Sequence, residues 1–113
     1  MHEMALAQSV CQIVEDTARR NSAAHVRAVW VEIGRLSHVE PEALRFAFNV
    51  VKRHGLAEGA RLEIVATDGT AWCMQCAEAV ALARLGDACP QCGSYQLQVT
   101  AGDEMRVKEI EID

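Results

Sequence analysis

Two Cys-x-x-Cys pairs constrain this chain more than any other feature. Cys73-Met-Gln-Cys76 and Cys89-Pro-Gln-Cys92-Gly93 are separated by twelve residues, 77 to 88, and the stretch from 70 to 102 that holds them carries only Glu78, Arg84 and Asp87 as charged residues. A segment of about 30 residues is too small to be stabilised by a hydrophobic core alone and needs a staple. Four thiolates in two tight knuckles are the donor set of a tetrahedral Zn²⁺ site, with Zn–S distances of about 2.3 Å. Pro90 and Gly93 suit the second knuckle, because Pro fixes a turn dihedral and Gly permits a left-handed residue after the last ligand. The first knuckle has no such glycine. A redox Cys-x-x-Cys usually comes singly at a helix start, and four sulfurs leave no open position for a catalytic water. The expected role of the metal is therefore structural.

The wider sequence narrows the setting. An acidic third residue and the polar Gln8, Gln12, Glu15 and Asp16 are unlike the basic and then apolar run of an export signal. No apolar run approaches the roughly 20 residues of a membrane span. A soluble, cytoplasmic protein is expected, and in a reducing compartment an odd count of five cysteines argues against a disulfide framework. Eleven Lys and Arg against 16 Asp and Glu give a net charge of -5, and the cysteine segment has one Arg and no Lys. Phosphate backbones are repelled by such a chain, so protein contact is favoured over nucleic acid.

Helical spacing of Leu6, Val10, Ile13, Val14 and Thr17 predicts a first helix over 4–20, with Ala7, Cys11 and Ala18 widening the stripe and Asn21 as its stop. Cys11 on that stripe reads as a small core hydrophobe. Residues 25–34 are rich in β-branched side chains on both parities, which predicts a strand covered on both faces. Ser37-His-Val-Glu40 has capping-box spacing before Pro41, so a second helix should follow, with Leu44, Ala47, Phe48 and Val51 on its buried face and Gly55 as a left-handed cap. Alternation over 60–67 predicts a half-buried strand, Asp68-Gly69 a turn, and the tail a last strand whose apolar residues change parity near Lys108. Trp30 and Phe48 read as core or subunit-facing aromatics, and Trp72 as a cover over the zinc knuckles. The expected fold class is α+β: a three-stranded sheet with two helices, formed by residues 1–68 and 103–113, into which a zinc-ribbon-like Cys₄ domain, 69–102, is inserted.

The opening Met1-His2-Glu3 carries a second possible metal chemistry. The α-amine of Met1, the deprotonated amide nitrogen of His2 and its imidazole Nδ1 form fused five- and six-membered chelate rings. One more donor from the Glu3 amide or carboxylate completes a planar set suited to Ni(II) or Cu(II). A solvated terminal His is the alternative reading. His38 and Glu40 lie before the second helix, where a capping or solvated role competes with an approach to the metal, and His25 and His54 read as surface residues.

Taken together, the Met1-His-Glu opening, the helix pattern from Met4 to Val10, Val31-Glu-Ile-Gly-Arg-Leu36, Pro41-Glu-Ala-Leu-Arg-Phe-Ala-Phe48, Cys89-Pro-Gln-Cys-Gly93 and Arg106-Val-Lys108 resemble the HypA/HybF family over essentially the whole chain. These are nickel metallochaperones of [NiFe]-hydrogenase maturation. The resemblance implies a nickel domain with His2 as principal ligand, assisted by Glu3 and the Met1 amine, and a zinc domain held by Cys73, Cys76, Cys89 and Cys92. It also implies delivery of Ni(II) to the hydrogenase large-subunit precursor together with the GTPase HypB, and in some members to urease maturation proteins. Some members carry histidines near the zinc cysteines; this chain has none there, which puts an imidazole pH switch in the zinc domain in doubt.

The expected function is thus a nickel metallochaperone with no turnover of its own, because no catalytic triad, carboxylate pair or phosphate-cradling loop has supporting context. The rival is a zinc-ribbon adaptor or regulator in which Met-His-Glu is incidental. A monomer or a weak or swapped homodimer is expected, since an insertion on two linkers can exchange between protomers.

Overall fold

The computed structural model describes residues 3–113. Its elements run α1 (Glu3–Arg20), β1 (Val26–Gly34), α2 (Pro41–Val51), β2 (Arg61–Thr67), β3 (Gly69–Cys73), β4 (Glu78–Leu82), β5 (Leu97–Ala101) and β6 (Met105–Ile112). They form two three-stranded sheets, ordered β2-β1-β6 and β4-β3-β5. The mixed α+β architecture and the position of the cysteine segment between the second and last strands of the first sheet agree with the sequence reading.

Two compact units emerge. The first comprises the described residues up to Val31, Val39–Val65 and Arg106–Asp113. Its core is supplied by Ala7, Val10, Cys11, Val14 and Ala18 of α1, Leu44, Ala47 and Phe48 of α2, and Val26, Ala28, Val29 and Val31 of β1. β1, the central strand of its sheet, has buried residues on both parities. The stripe of α1 is rotated from the expected one: Ala7, Val14 and Ala18 are fully buried while Ile13 is half exposed, because one residue step turns a side chain about 100° around the helix.

The ends of α2 also differ from expectation. Glu40, not Ser37, is the N-cap, with its carboxylate accepting from the Glu42 amide at 3.2 Å. Ser37 instead donates its hydroxyl to the Gly34 carbonyl at 2.7 Å, so the predicted capping box is one turn too early. Past α2 the left-handed residue is His54, at φ 67°, not Gly55. Gly55 has a different reason to be glycine, because a Cβ there would sit 2.2 Å from Glu15 Oε2. That carboxylate accepts the Leu56 amide at 2.9 Å and ties α1 to the loop after α2. Alternation in β2 holds through Leu62 and fades at the exposed Ala66, as befits an edge strand. In β6 the half-buried positions change parity across Lys108 and Glu109, both exposed, where the phase slip was expected.

The second unit comprises Glu32–His38 and Ala66–Met105. It is wider than the segment 69–102 marked by the cysteines, because Leu36 joins Ala71, Cys73, Val80, Leu82 and Cys89 in its small core. Cys76, Leu97 and Val99 pack against that cluster. Gly69 is no turn residue: it opens β3 and is buried, and a Cβ there would lie 2.5 Å from Leu36 Cγ. β3 pairs antiparallel with both neighbours, Ala71 opposing Val80 on one side and Val99 on the other, with a register shift between Thr70 and Ala71 on the β5 side.

Candidate metal centre

The centre is built at the end of β3. Cys73 is its last residue and, like Ala71, faces the small core, because alternate residues of a strand share a face. A turn then brings Cys76 back over Cys73: the Ala77 amide donates to the Cys73 carbonyl at 2.8 Å, and the Cys76 amide points at Cys73 Sγ at 3.3 Å. The second knuckle repeats this construction. The Gly93 amide donates to the Cys89 carbonyl at 2.9 Å, and the Gln91 amide points at Cys89 Sγ at 3.4 Å. In each knuckle the residue after the last cysteine is left-handed, Gly93 at φ 77° and Ala77 at φ 56°. The sequence shows the glycine of one knuckle but hides that alanine performs the same turn in the other.

All four sulfurs lie within 4.8 Å of one another. The Cys73 and Cys92 sulfurs are 3.6 Å apart, and those of Cys76 and Cys89 3.9 Å. A tetrahedron with Zn–S bonds of about 2.3 Å has an edge of about 3.8 Å, so these separations fit one shared ion. They are far longer than the S–S bond of a disulfide, about 2.05 Å. Among the described residues, this is the one group of three or more His, Cys, Asp or Glu side chains close enough to share a metal.

Local electrostatics prepare the sulfurs unequally. Burial opposes charge on Cys89, but the backbone amides of Cys92 and Gln91 outweigh it and bring its thiol down to about 7. Cys76, sharing a proton with Cys92 and desolvated besides, is pushed far above the ordinary thiol range. One ligand is thus ready to ionise near neutral pH while another keeps its proton until a cation displaces it, so metal entry releases protons. Four thiolates would close the coordination sphere of such an ion, whose contribution would be to hold the knuckles together.

Trp72 does not cover the knuckles as expected. It occupies the opposite face of β3 from Cys73, exposed, with Ala79 and Gln98 as its strand partners. Phe48 is a core residue, whereas Trp30 is half-buried with the Arg61 guanidinium 5.6 Å above its ring. His25, His38 and His54 are all exposed, and Glu40 is engaged in capping. Glu3 opens α1, whose first turn favours an acidic side chain. Met1 and His2, which carry the chelate reading, lie outside the described residues.

A family model described as hydrogenase/urease nickel incorporation, metallochaperone, hypA matches residues 1–112. The chain belongs to the HypA family. Its similarity to individual members is high: it is 61% identical to the hydrogenase maturation factor HypA of Rhodopseudomonas palustris strain BisB5 and 59% identical to that of Albidiferax ferrireducens, over the full length of both chains in each case. The fold likewise resembles the solution structure of the Ni metallochaperone HypA from Helicobacter pylori, with a TM-score of 0.74 at 28% identity, covering 99% of this chain and 97% of that one. A second HypA solution structure gives a TM-score of 0.75 at 27% identity. In this HypA-family chain the four cysteines form the group that could hold a metal ion.

Proposed function

We propose that this chain binds Ni(II) at its N-terminus through the Met1 α-amine, the amide nitrogen and Nδ1 of His2, and a donor from Glu3, and delivers it for maturation of [NiFe]-hydrogenase. The observation that supports this most is a nickel-incorporation family match that begins at residue 1, where Met-His-Glu supplies a planar nitrogen donor set. Glu3 lies in the first turn of α1, where backbone N–H groups lack acceptors inside the helix, so a metal can claim its nitrogen without breaking the helical ladder.

As a carrier the protein needs no turnover of its own. Protonation of the amide ligand, or competition from a partner's donors, releases the cargo. The recipients in this reading are the hydrogenase large-subunit precursor, reached together with the GTPase HypB, and urease maturation proteins as a second destination. Residues 1–68 and 103–113 form the nickel domain, and 69–102 the domain whose Zn²⁺, held by Cys73, Cys76, Cys89 and Cys92, is structural. The compartment is the cytoplasm, in keeping with thiol ligands, and no helix among the described residues is long and apolar enough to cross a membrane.

Calorimetric titration of Ni(II) into zinc-loaded protein tests this reading on three forms: the native start, His2→Ala, and a variant with one residue added before Met1. The native start should bind at least about tenfold more tightly than the other two, with zinc content unchanged. Equal affinity in all three leaves only the zinc-ribbon adaptor.

A further inference from the structure

The chain carries a net charge of -5, yet one cleft of the first unit gathers cations. It has a volume of about 370 Å³ and lies between α2 and the start of β2, and the charged side chains that line it are Arg45, Lys52, Arg61 and Glu63. Three cations thus share it with a single carboxylate. Arg45, Asn49 and Lys52 stand at i, i+4 and i+7, and the backbone of Lys52, the C-cap of α2, is still right-handed helical. They therefore share one side of the helix and form one wall of the cleft.

The opposite wall holds two of these cations in place. β2 is an outer strand of its sheet, and the carbonyls of Ala60 and Leu62, two residues apart, point to the same side. Arg45 donates through Nη1 to the Leu62 carbonyl, and Lys52 donates through Nζ to the Ala60 carbonyl at 2.8 Å. Both side chains are half-buried, and the Lys52 ammonium also lies 5.7 Å from the centre of the Phe48 ring. Two cationic heads are thereby anchored about 7 Å apart, twice the rise of a strand per residue. Covering the strand carbonyls takes one N–H from each, out of five on a guanidinium and three on an ammonium, and does not use Asn49. The carboxylates beside the two arginines stand well beyond the 2.7–2.9 Å or so of a close charge-assisted bond, Glu42 at 3.9 Å from Arg45 and Glu63 at 3.4 Å from Arg61. Donors are left for another anion.

We infer that this cleft is a docking site for an extended acidic segment of a partner protein, whose carboxylates at alternate positions are received by Arg45 and Lys52, with the Asn49 amide donating between them. Alternate side chains of an extended segment project from one face about 6.4–6.8 Å apart, which matches the separation of the two anchored heads. Nucleic acid fits less well. Glu63 inside the cleft, Glu42 beside Arg45, Glu111 beside Arg61 and the negative charge of the whole chain repel a continuous run of phosphates, whereas two spaced carboxylates can sit between these acids. The site uses none of the residues assigned to nickel or zinc, so a peptide titration and the nickel titration can fail separately.

Fluorescence anisotropy with the zinc-loaded full chain tests the site, the probe being a labelled, end-capped heptapeptide in which Ser and Asp alternate. Binding should saturate and should weaken as salt is raised. Asn49→Asp is an exposed substitution that leaves both cations in place, and it should weaken binding about tenfold by setting a like charge in the cleft. Arg45→Gln and Lys52→Gln keep a donor for each strand carbonyl but lose the charge, and each should weaken binding about fivefold or more. Glu63→Gln should strengthen it. A peptide of the same composition with its Asp residues contiguous should bind less tightly, because neighbouring side chains then point to opposite faces. Absence of saturable binding, equal affinity for the contiguous peptide, or an Asn49→Asp protein of unchanged helical circular dichroism that binds as the native chain does overturns the proposal. So does tighter binding of inorganic phosphate or of an oligouridylate than of the alternating peptide.

Discussion

Cys73 Sγ and Cys92 Sγ lie 3.6 Å apart although 19 positions separate the two residues, and the second close sulfur pair, Cys76 with Cys89, likewise joins one knuckle to the other. Both short contacts therefore cross between knuckles, as they would around one shared ion. Stripping zinc with a chelator should unfold the second unit, and Cys73→Ala should do the same, because Cys73 is also part of that unit's small core. The measurement is zinc content alongside Trp72 fluorescence and amide exchange of residues 69–102. His2→Ala should leave all of these unchanged.

Ala77 and Gly93 make the same left-handed turn, but only one of them is glycine. The left-handed conformation costs an L-residue about 1–2 kcal/mol; replacing Ala by Gly removes that cost, and the greater entropy of the unfolded Gly chain offsets part of the gain. Ala77→Gly should raise the stability of the zinc-loaded protein by about 0.5–1 kcal/mol. Gly93→Ala should lower it by about 1 kcal/mol, although a Cβ at that position meets nothing within 4 Å. Chemical denaturation at saturating zinc reads both effects.

Cys11 gives the first unit an alkaline limit. Burial, reinforced by the nearby Glu15 carboxylate and partly offset by Lys52, pushes its thiol up from 9.0 to about 11. A raised value means that the fold favours the neutral thiol. The stabilisation is whole below about pH 9 and is lost as pH rises through about 11. Cys11→Ala should flatten that part of the pH–stability curve while costing some packing at all pH values. Thermal melts of the two proteins between pH 8 and 11.5 make the comparison.

Glu15 and Gly55 form a coupled pair. The Glu15 carboxylate accepts the Leu56 amide, and it occupies the space that a Cβ on residue 55 would need. Glu15→Ala should cost about 1–2 kcal/mol by leaving that amide unpaired. Gly55→Ala should cost a similar amount by displacing the carboxylate. In the Glu15→Ala background it should cost little, so a double-mutant cycle should show strong non-additivity.

What could be read from the residues depended on how local each signal was. The cysteine spacing is a local chemical requirement, and all four sulfurs meet as the spacing predicted. Periodicity found both helices, but the burial of Ile13 is decided by how α1 is rotated against its neighbours, which hydrophobicity alone does not specify. The N-cap moved from Ser37 to Glu40 because Ser37 is held by the Gly34 carbonyl, a tertiary fact with no local signature. Trp72 was misread for want of strand parity: next to Cys73 in sequence means opposite to it across a sheet. The left-handed Ala77 was hidden because its residue type is unsuited to its conformation, and only the parallel with Gly93 exposes it. Met-His-Glu states a donor set, but three residues at a terminus carry no spacing signal comparable to that of the paired cysteines.

Nickel X-ray absorption on zinc-loaded protein carrying one equivalent of Ni(II) tests the central claim most directly. The account predicts a first shell of nitrogen and oxygen donors with one imidazole and no sulfur, replaced by a different shell in His2→Ala. A sulfur shell on nickel, or a spectrum that His2→Ala leaves unchanged, would contradict it.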